Sequence, residues 1–157
     1  MDATTMRSTA SLIAKLTANY PDFTFTASDE FRWSPKEKTI FYDQASGGEL
    51  FLLHELAHAI LGHSEYSRDI ELIELERSAW EYTKESLCKP YGIPIDDELV
   101  EDSLDTYRDW LHSRSTCPTC KSTGIETRKY EYRCIACGTL WKVNDARVCA
   151  LRRRVIT

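Results

Sequence analysis

Two histidines and a glutamate interrupt an otherwise apolar segment that runs from Leu50 to Leu61. Residues four apart share one face of a helix, so the imidazoles of His54 and His58 can reach a single metal ion. Glu55 lies about 100° further round the helix, where its carboxylate can contact a metal-bound water without binding the ion. Zinc lowers the pKa of such a water to roughly 7, and a carboxylate base completes a nucleophile for a peptide carbonyl. The spacing predicts a catalytic zinc site with Glu55 as base; the alternative is two core histidines satisfied by hydrogen bonds.

A catalytic zinc needs a third protein ligand, since such sites hold the ion with three side chains and one water. The metzincin arrangement requires a histidine six residues after His58, but that residue is Ser64. The following helix offers five glutamates instead: Glu71, Glu74, Glu76, Glu81 and Glu85. Only Glu76 has apolar residues three and four positions away on both sides, so its carboxylate should face the core. Glu76 is therefore the predicted third ligand, and a buried ion pair is the alternative.

Supporting roles near this site remain open from the residues alone. His63 follows the end of the apolar helix, where it is either a surface histidine or a residue that contacts substrate or a metal ligand. A group that stabilises the developing oxyanion is expected opposite Glu55. Tyr42, Tyr66 and His63 are the candidates for that role.

Four cysteines near the end of the sequence form two CxxC pairs, Cys117 with Cys120 and Cys134 with Cys137. Each pair can aim two thiolates at one ion, and two pairs complete a tetrahedral structural zinc site. A segment this small cannot fold on apolar burial alone, so the metal contributes to its folding free energy. The residues between and after the pairs alternate in the manner of a small β ribbon. The other cysteines, Cys88 and Cys149, are expected to be ordinary buried or free thiols.

Helices and short strands are predicted to position these groups. Apolar periodicity and capping residues predict helices at 9–19, at 50–61, at about 69–87 and from about 96 onward. Alternation and a Ser-Pro turn predict strands at 23–26, 31–33 and 39–42, the last two forming a hairpin. The fold class is therefore α+β, with a metallopeptidase-like domain over residues 1–113 and a zinc ribbon with a basic tail over 114–157.

Charge follows the same division of the chain. The 157 residues carry a net charge of -5, but residues 1–113 contain 10 Lys+Arg and 22 Asp+Glu, whereas 114–157 contain 10 and 3. Such asymmetry suggests modules with different partners. The basic segment, with Tyr130, Tyr132 and Trp141, could contact phosphates and stack on bases, or it could dock on protein, including the acidic part of the same chain.

The HExxH helix, the later Glu76 helix and the preceding hairpin together resemble a minimal gluzincin metallopeptidase, most closely the ImmA/IrrE family, over about residues 10–90. The family pattern of a glutamate ligand followed by small and aromatic residues is matched here by Glu76, Ala79 and Tyr82. The resemblance implies that His54, His58 and Glu76 bind zinc and that Glu55 is the base. It also implies regulatory proteolysis of repressor proteins. The appended cysteine module is similar in layout to SprT-like proteases, which act near DNA but take a histidine as third ligand, for which His63 and His112 are the candidates.

These patterns predict a zinc metalloprotease of gluzincin type with one catalytic and one structural zinc ion, acting on a protein substrate. The alternatives are a SprT-like protease for DNA-bound proteins and an inactive zinc-ribbon adaptor that binds DNA or protein. No membrane segment of roughly 20 apolar residues and no secretory signal are apparent, so a cytoplasmic location is expected. The sequence does not indicate the oligomeric state or the substrate.

Overall fold

The computed structural model describes residues 3–45, 47–145 and 151–156, which form a mixed α+β fold. The helices are α1 Ala3–Asn19, α2 Glu49–Ile60, α3 Asp69–Tyr82, α4 Cys88–Tyr91 and α5 Asp97–Ser115. A π-helical segment, Thr83–Leu87, joins α3 to α4. The predicted long helix thus begins at Asp69 as expected but continues past Leu87 and ends at Gly92, which has a φ of 67°. Pro90 lies in the final turn of this continuous helix, two residues before Gly92.

Two small sheets accompany the helices. The first contains β1 Thr24–Ser28, β2 Arg32–Ser34 and β3 Thr39–Asp43 in the order β1-β3-β2. The pairing of β2 with β3 is antiparallel, which confirms the predicted hairpin, whereas β1 runs parallel to β3. The second sheet is antiparallel and contains β4 Ile125–Arg128, β5 Glu131–Arg133, β6 Leu140–Val143 and β7 Arg153–Ile156 in sequence order.

The chain divides into two compact units. Unit 1 contains the described residues of Met1–Ser64 and Leu75–Asp96, and unit 2 contains those of Glu65–Glu74 and Asp97–Thr157. The boundary expected between residues 113 and 114 falls inside α5, and the whole of α5 belongs to unit 2 with the cysteine module. Two units are thus present, but helix α5 and the start of α3 group with the cysteines.

Unit 1 is organised around α2, which contacts β2, β3 and the π-helical segment. Eight of the twelve residues of α2 are buried, as expected for a helix that is apolar on nearly all sides. Leu53 and Leu56 are fully buried, and so are Ile40 of β3 and Leu16 of α1. This core fixes α2 against the sheet and so fixes the direction of its polar side chains.

Unit 2 has a small apolar core and a buried polar network. The core consists of Cys117, Tyr132, Cys134, Trp141 and Val143. In the network, Arg114 Nε donates to Asp69 Oδ2 at 2.8 Å, and the Tyr132 hydroxyl donates to the same oxygen at 2.5 Å. The Trp141 indole N–H donates to the backbone carbonyl of Arg114 at 2.9 Å. These bonds tie the first residue of α3 and the last turn of α5 to the sheet of the cysteine module.

Substituting Asp69 by asparagine is expected to lower the free energy of unfolding of unit 2 by about 3–5 kcal/mol, because buried Arg114 would lose the carboxylate that accepts its hydrogen bonds. Urea unfolding followed by tryptophan fluorescence measures the change. The matched control is Asp105→Asn, which removes an exposed partner of Arg108 and should change stability little. Equal effects of the two substitutions would contradict a structural role for the buried pair.

No helix among the described residues combines the length and apolar character needed to cross a membrane. Cys88 is buried, in agreement with an ordinary core thiol, and burial raises its pKa. Cys149 lies outside the described residues.

Candidate functional site

The ends of α2 are set by glycines. Gly47 and Gly48 precede its first residue, and Gly62, with a φ of 71°, follows its last turn. The N–H of Gly62 bonds to the carbonyl of Ala59, and the N–H of His63 bonds to the carbonyl of His58. This pair of bonds is a Schellman motif, in which a glycine takes the left-handed conformation and the chain turns back over the helix end. The motif places His63 beside His58.

Three of the predicted site residues converge at one point inside unit 1. His54 Nε2 lies 2.9 Å from Glu76 Oε2, and His58 Nε2 lies 3.2 Å from Glu76 Oε1. The two Nε2 atoms are 3.1 Å apart. Ligand atoms of His54, Glu55 and His58 all lie within 4.8 Å of one another. The carboxylate that helical periodicity selected is therefore the one that contacts both histidines.

The donor set fits zinc. Two nitrogens and one carboxylate are the ligands of a gluzincin-type zinc site, and ligands about 2.0–2.1 Å from a tetrahedral ion are roughly 3.3 Å apart. The observed separations of 2.9 to 3.2 Å need little expansion to admit an ion. All three side chains are buried.

Different contacts orient the two imidazoles. The His54 ring stacks on the indole of Trp80 with centroids 3.9 Å apart and an interplanar angle of 17°. Within the described part of the chain, His54 Nδ1 is buried without a hydrogen-bond partner. His58 Nδ1 instead lies 2.8 Å from His63 Nδ1. The sequence analysis predicted neither the stacking of Trp80 on His54 nor the contact of His63 with His58. Gly62 is the feature of the sequence that could have indicated the contact of His63.

Charges within the cluster shift the pKa values of its members. Burial raises the pKa of Glu76, but hydrogen bonds and charge interactions with His54 and His58 outweigh burial and lower it to about 2. Burial alone would lower the pKa of His58, but the neighbouring carboxylate of Glu76 raises it overall. Burial raises the pKa of Glu55, against the opposing effects of both histidines and a hydrogen bond from the backbone of Trp33. The carboxylate of Glu76 is thus held ionised, while that of Glu55 has greater affinity for a proton than an exposed glutamate.

The remaining candidates differ from Glu76 in exposure or in the unit to which they belong. The glutamates of the helix that were not selected are exposed: Glu71, Glu74, Glu81 and Glu85. Tyr42 is buried in β3, and Tyr66 belongs to unit 2, where the Lys129 ammonium lies 5.9 Å from its ring. His112 is exposed near the end of α5.

The four cysteines of the CxxC pairs form a second cluster, in unit 2. Cys117 Sγ lies 3.7 Å from Cys137 Sγ, and Cys120 Sγ lies 3.5 Å from Cys134 Sγ. Sulfur ligands about 2.3 Å from a tetrahedral ion are roughly 3.8 Å apart, so the cluster is positioned to hold one metal ion. Burial opposes ionisation of Cys117, but backbone N–H groups of Cys120 and Thr119 lower its pKa to about 6. A thiolate is the form that binds a metal.

Two of the three aromatic residues expected to stack on bases, Tyr132 and Trp141, lie in the core of the cysteine module. Tyr132 is 2% exposed and Trp141 is 0% exposed, because they stack on each other in the core with centroids 5.7 Å apart. The expectation that these two rings could stack on bases is therefore wrong. Tyr130 is partly exposed, and the basic side chains that are exposed include Arg128, Arg133 and Lys142.

If the histidine cluster and the cysteine cluster each hold a zinc ion, Glu76→Ala is expected to remove one of the two zinc equivalents, because the histidine cluster would lose the carboxylate that contacts both imidazoles. Metal analysis of purified protein by mass spectrometry measures the change. Glu74→Ala is the matched control on the same helix, since Glu74 is exposed. It should retain both equivalents. Equal zinc content in the Glu76→Ala variant and the parent would exclude Glu76 as a ligand.

Comparisons of this chain with known protein families, with curated proteins and with solved structures found no match. The assignment of the site therefore rests on its geometry and chemistry.

Proposed function

We propose that this chain is a zinc-dependent metallopeptidase of gluzincin type whose first unit is a zincin-like domain similar to the ImmA/IrrE family. One observation carries the proposal: His54 Nε2, His58 Nε2 and the Glu76 carboxylate lie within 3.2 Å of one another, beside Glu55. This arrangement combines three zinc ligands with an adjacent carboxylate base, the set that metal-assisted peptide hydrolysis requires.

A bound ion accounts for the cluster better than hydrogen bonding alone. The Nε2 atoms of His54 and His58 face each other at 3.1 Å, and both also face the carboxylate of Glu76. Protons on both nitrogens would repel each other, and a buried cationic imidazole carries a desolvation cost. A divalent cation lets both nitrogens act as lone-pair donors and neutralises the carboxylate as well. Zinc would replace the direct contacts between the imidazoles and the carboxylate.

Each residue has a defined role in the proposed reaction. When bound, zinc would lower the pKa of a water ligand to roughly 7 and polarise the carbonyl of the substrate. Glu55 takes a proton from the attacking water and delivers it to the departing amine, so that the peptide C–N bond breaks to give a carboxylate and an amine. Glu55 is placed for both steps because it lies beside the two histidines without being one of the three side chains that converge.

The position of Glu76 favours this proposal over a SprT-like protease, which would need a histidine as third ligand. His63 approaches the far nitrogen of His58, Nδ1, and His112 is exposed on α5.

The cysteine cluster is proposed to hold a structural zinc ion in a module that presents substrate or localises the enzyme. A protein substrate is proposed; an inactive adaptor remains the competing function.

Incubating the zinc-loaded chain with a mixture of denatured proteins tests the proposal. New N-termini, identified by mass spectrometry, are expected with the parent protein and not with His54→Ala. Absence of cleavage by protein that contains both zinc equivalents would favour the adaptor. A parallel binding assay with DNA at two salt concentrations measures whether the exposed basic residues of unit 2 contact nucleic acid.

A further inference from the structure

His63 makes a directional chain of contacts that starts at a proposed zinc ligand. His58 Nδ1 lies 2.8 Å from His63 Nδ1, and His63 Nε2 lies 3.4 Å from the hydroxyl oxygen of Ser78. That hydroxyl donates in turn to the backbone carbonyl of Leu75 at 3.0 Å. All four residues belong to unit 1. The series of contacts ends at the backbone carbonyl of Leu75, which can only accept a hydrogen bond.

The direction of the last bond determines the others. A hydroxyl carries a single proton, and Ser78 donates that proton to Leu75. His63 Nε2 must therefore donate to Ser78, which leaves Nδ1 of a neutral His63 as an acceptor. His58 Nδ1 must then be the donor in the contact between the two imidazoles. In this tautomer, the lone pair of His58 lies on Nε2, the atom that faces His54 and Glu76.

The backbone of His63 is fixed independently of these side-chain contacts. Its N–H donates to the carbonyl of His58 in the Schellman motif that ends α2. Its own carbonyl accepts a hydrogen bond from the Trp33 indole at 3.0 Å. The ring therefore reaches His58 from a rigid position, which is what a residue that orients a metal ligand requires.

We propose that His63 is a positioning residue that accepts the Nδ1 proton of His58 and so keeps the Nε2 lone pair of His58 directed at the metal, with Ser78 selecting the tautomer of His63. This inference rests on the proposed zinc site. It assigns to His63 a role that the spacing of the residues left open. His63 acts through His58 and does not bind the ion.

Zinc affinity of the histidine site tests the proposal on the full chain. The dissociation constant is measured by competition with a chelator that leaves the cysteine-bound ion in place. His63→Ala is expected to raise it by about 10–100-fold, the usual effect of losing the partner of a ligating histidine. His63→Asn should recover most of the affinity, since its amide oxygen can accept from His58 Nδ1, and Ser78→Ala should have the smaller effect because its contact is longer. The control is His112→Ala, which removes an exposed histidine.

Nitrogen-15 NMR of the imidazoles supplies a readout that a change in stability alone would not move. In the zinc-loaded parent, the proton of His58 is expected on Nδ1 and the metal on Nε2. Loss of that pattern in His63→Ala with recovery in His63→Asn supports the proposal. If the parent binds zinc at the histidine site but His63→Ala leaves both the affinity and the tautomer unchanged, the role of His63 is refuted and the metallopeptidase proposal stands. If the parent binds no zinc there, both fail.

Discussion

Glu55→Gln is expected to reduce the rate of peptide hydrolysis by about 10²–10⁴-fold, the usual contribution of a positioned general base. Zinc content should stay at the proposed two equivalents per chain, because Glu55 is not one of the three proposed ligands, His54, His58 and Glu76. The rate should fall because the glutamine amide has nearly the same shape as the carboxylate of Glu55 but cannot accept a proton from water. The measurement compares initial rates on a cleavable peptide for the two proteins at equal zinc occupancy.

A matched control separates loss of the base from loss of negative charge. Glu85→Gln removes an exposed carboxylate in the π-helical segment and should leave the rate unchanged. Retained hydrolysis by Glu55→Gln would show that another group accepts the proton. Loss of zinc by that variant would show instead that Glu55 helps to hold the ion, which contradicts its assignment as base only.

Cys134→Ser is expected to unfold the sheet formed by β4, β5, β6 and β7 and to release one zinc equivalent. The apolar core of this module is small, and two of its five buried residues are cysteines of the cluster. Structural zinc contributes on the order of 10–16 kcal/mol in comparable small modules, which exceeds what such a core supplies. The indole N–H signal of Trp141 reports the change by NMR, because that group donates to Arg114 only in the folded unit.

Cys88→Ser is the control for this substitution. Cys88 is buried in unit 1 and belongs to neither CxxC pair, so its replacement should leave the zinc content at two equivalents. A Cys134→Ser variant that keeps both equivalents and the Trp141 signal would contradict a metal-dependent fold for the module.

Local features of this fold were predictable because their causes are local. The residues of the hairpin alternate around a turn, and β2 pairs with β3 as expected. The inward direction of Glu76 follows from apolar neighbours one helical turn away on either side, and the structure buries it as predicted. The four cysteines meet because each CxxC pair turns sharply, and their proximity is confirmed.

Features that depend on distant residues were not predictable. Asp69 and Arg114 are 45 residues apart, and their buried ion pair, with the bond from the Trp141 indole to the Arg114 carbonyl, joins the end of α5 to other parts of unit 2. Tyr132 and Trp141 are of residue types that can stack on bases. In a module with few apolar residues, however, both rings pack in the core. The helix was expected over about 69–87, but neither the π-helical geometry of Thr83–Leu87 nor the continuation into α4 was predicted, because Pro90 is a residue that usually ends a helix.

Anomalous X-ray scattering at the zinc absorption edge, on crystals of the full chain, tests the central claim most directly. The expected map contains one peak bonded to His54 Nε2, His58 Nε2 and the Glu76 carboxylate, and a second among the four cysteine sulfurs. A single peak, confined to the cysteines, in protein grown with excess zinc would contradict the catalytic zinc site and the peptidase function derived from it.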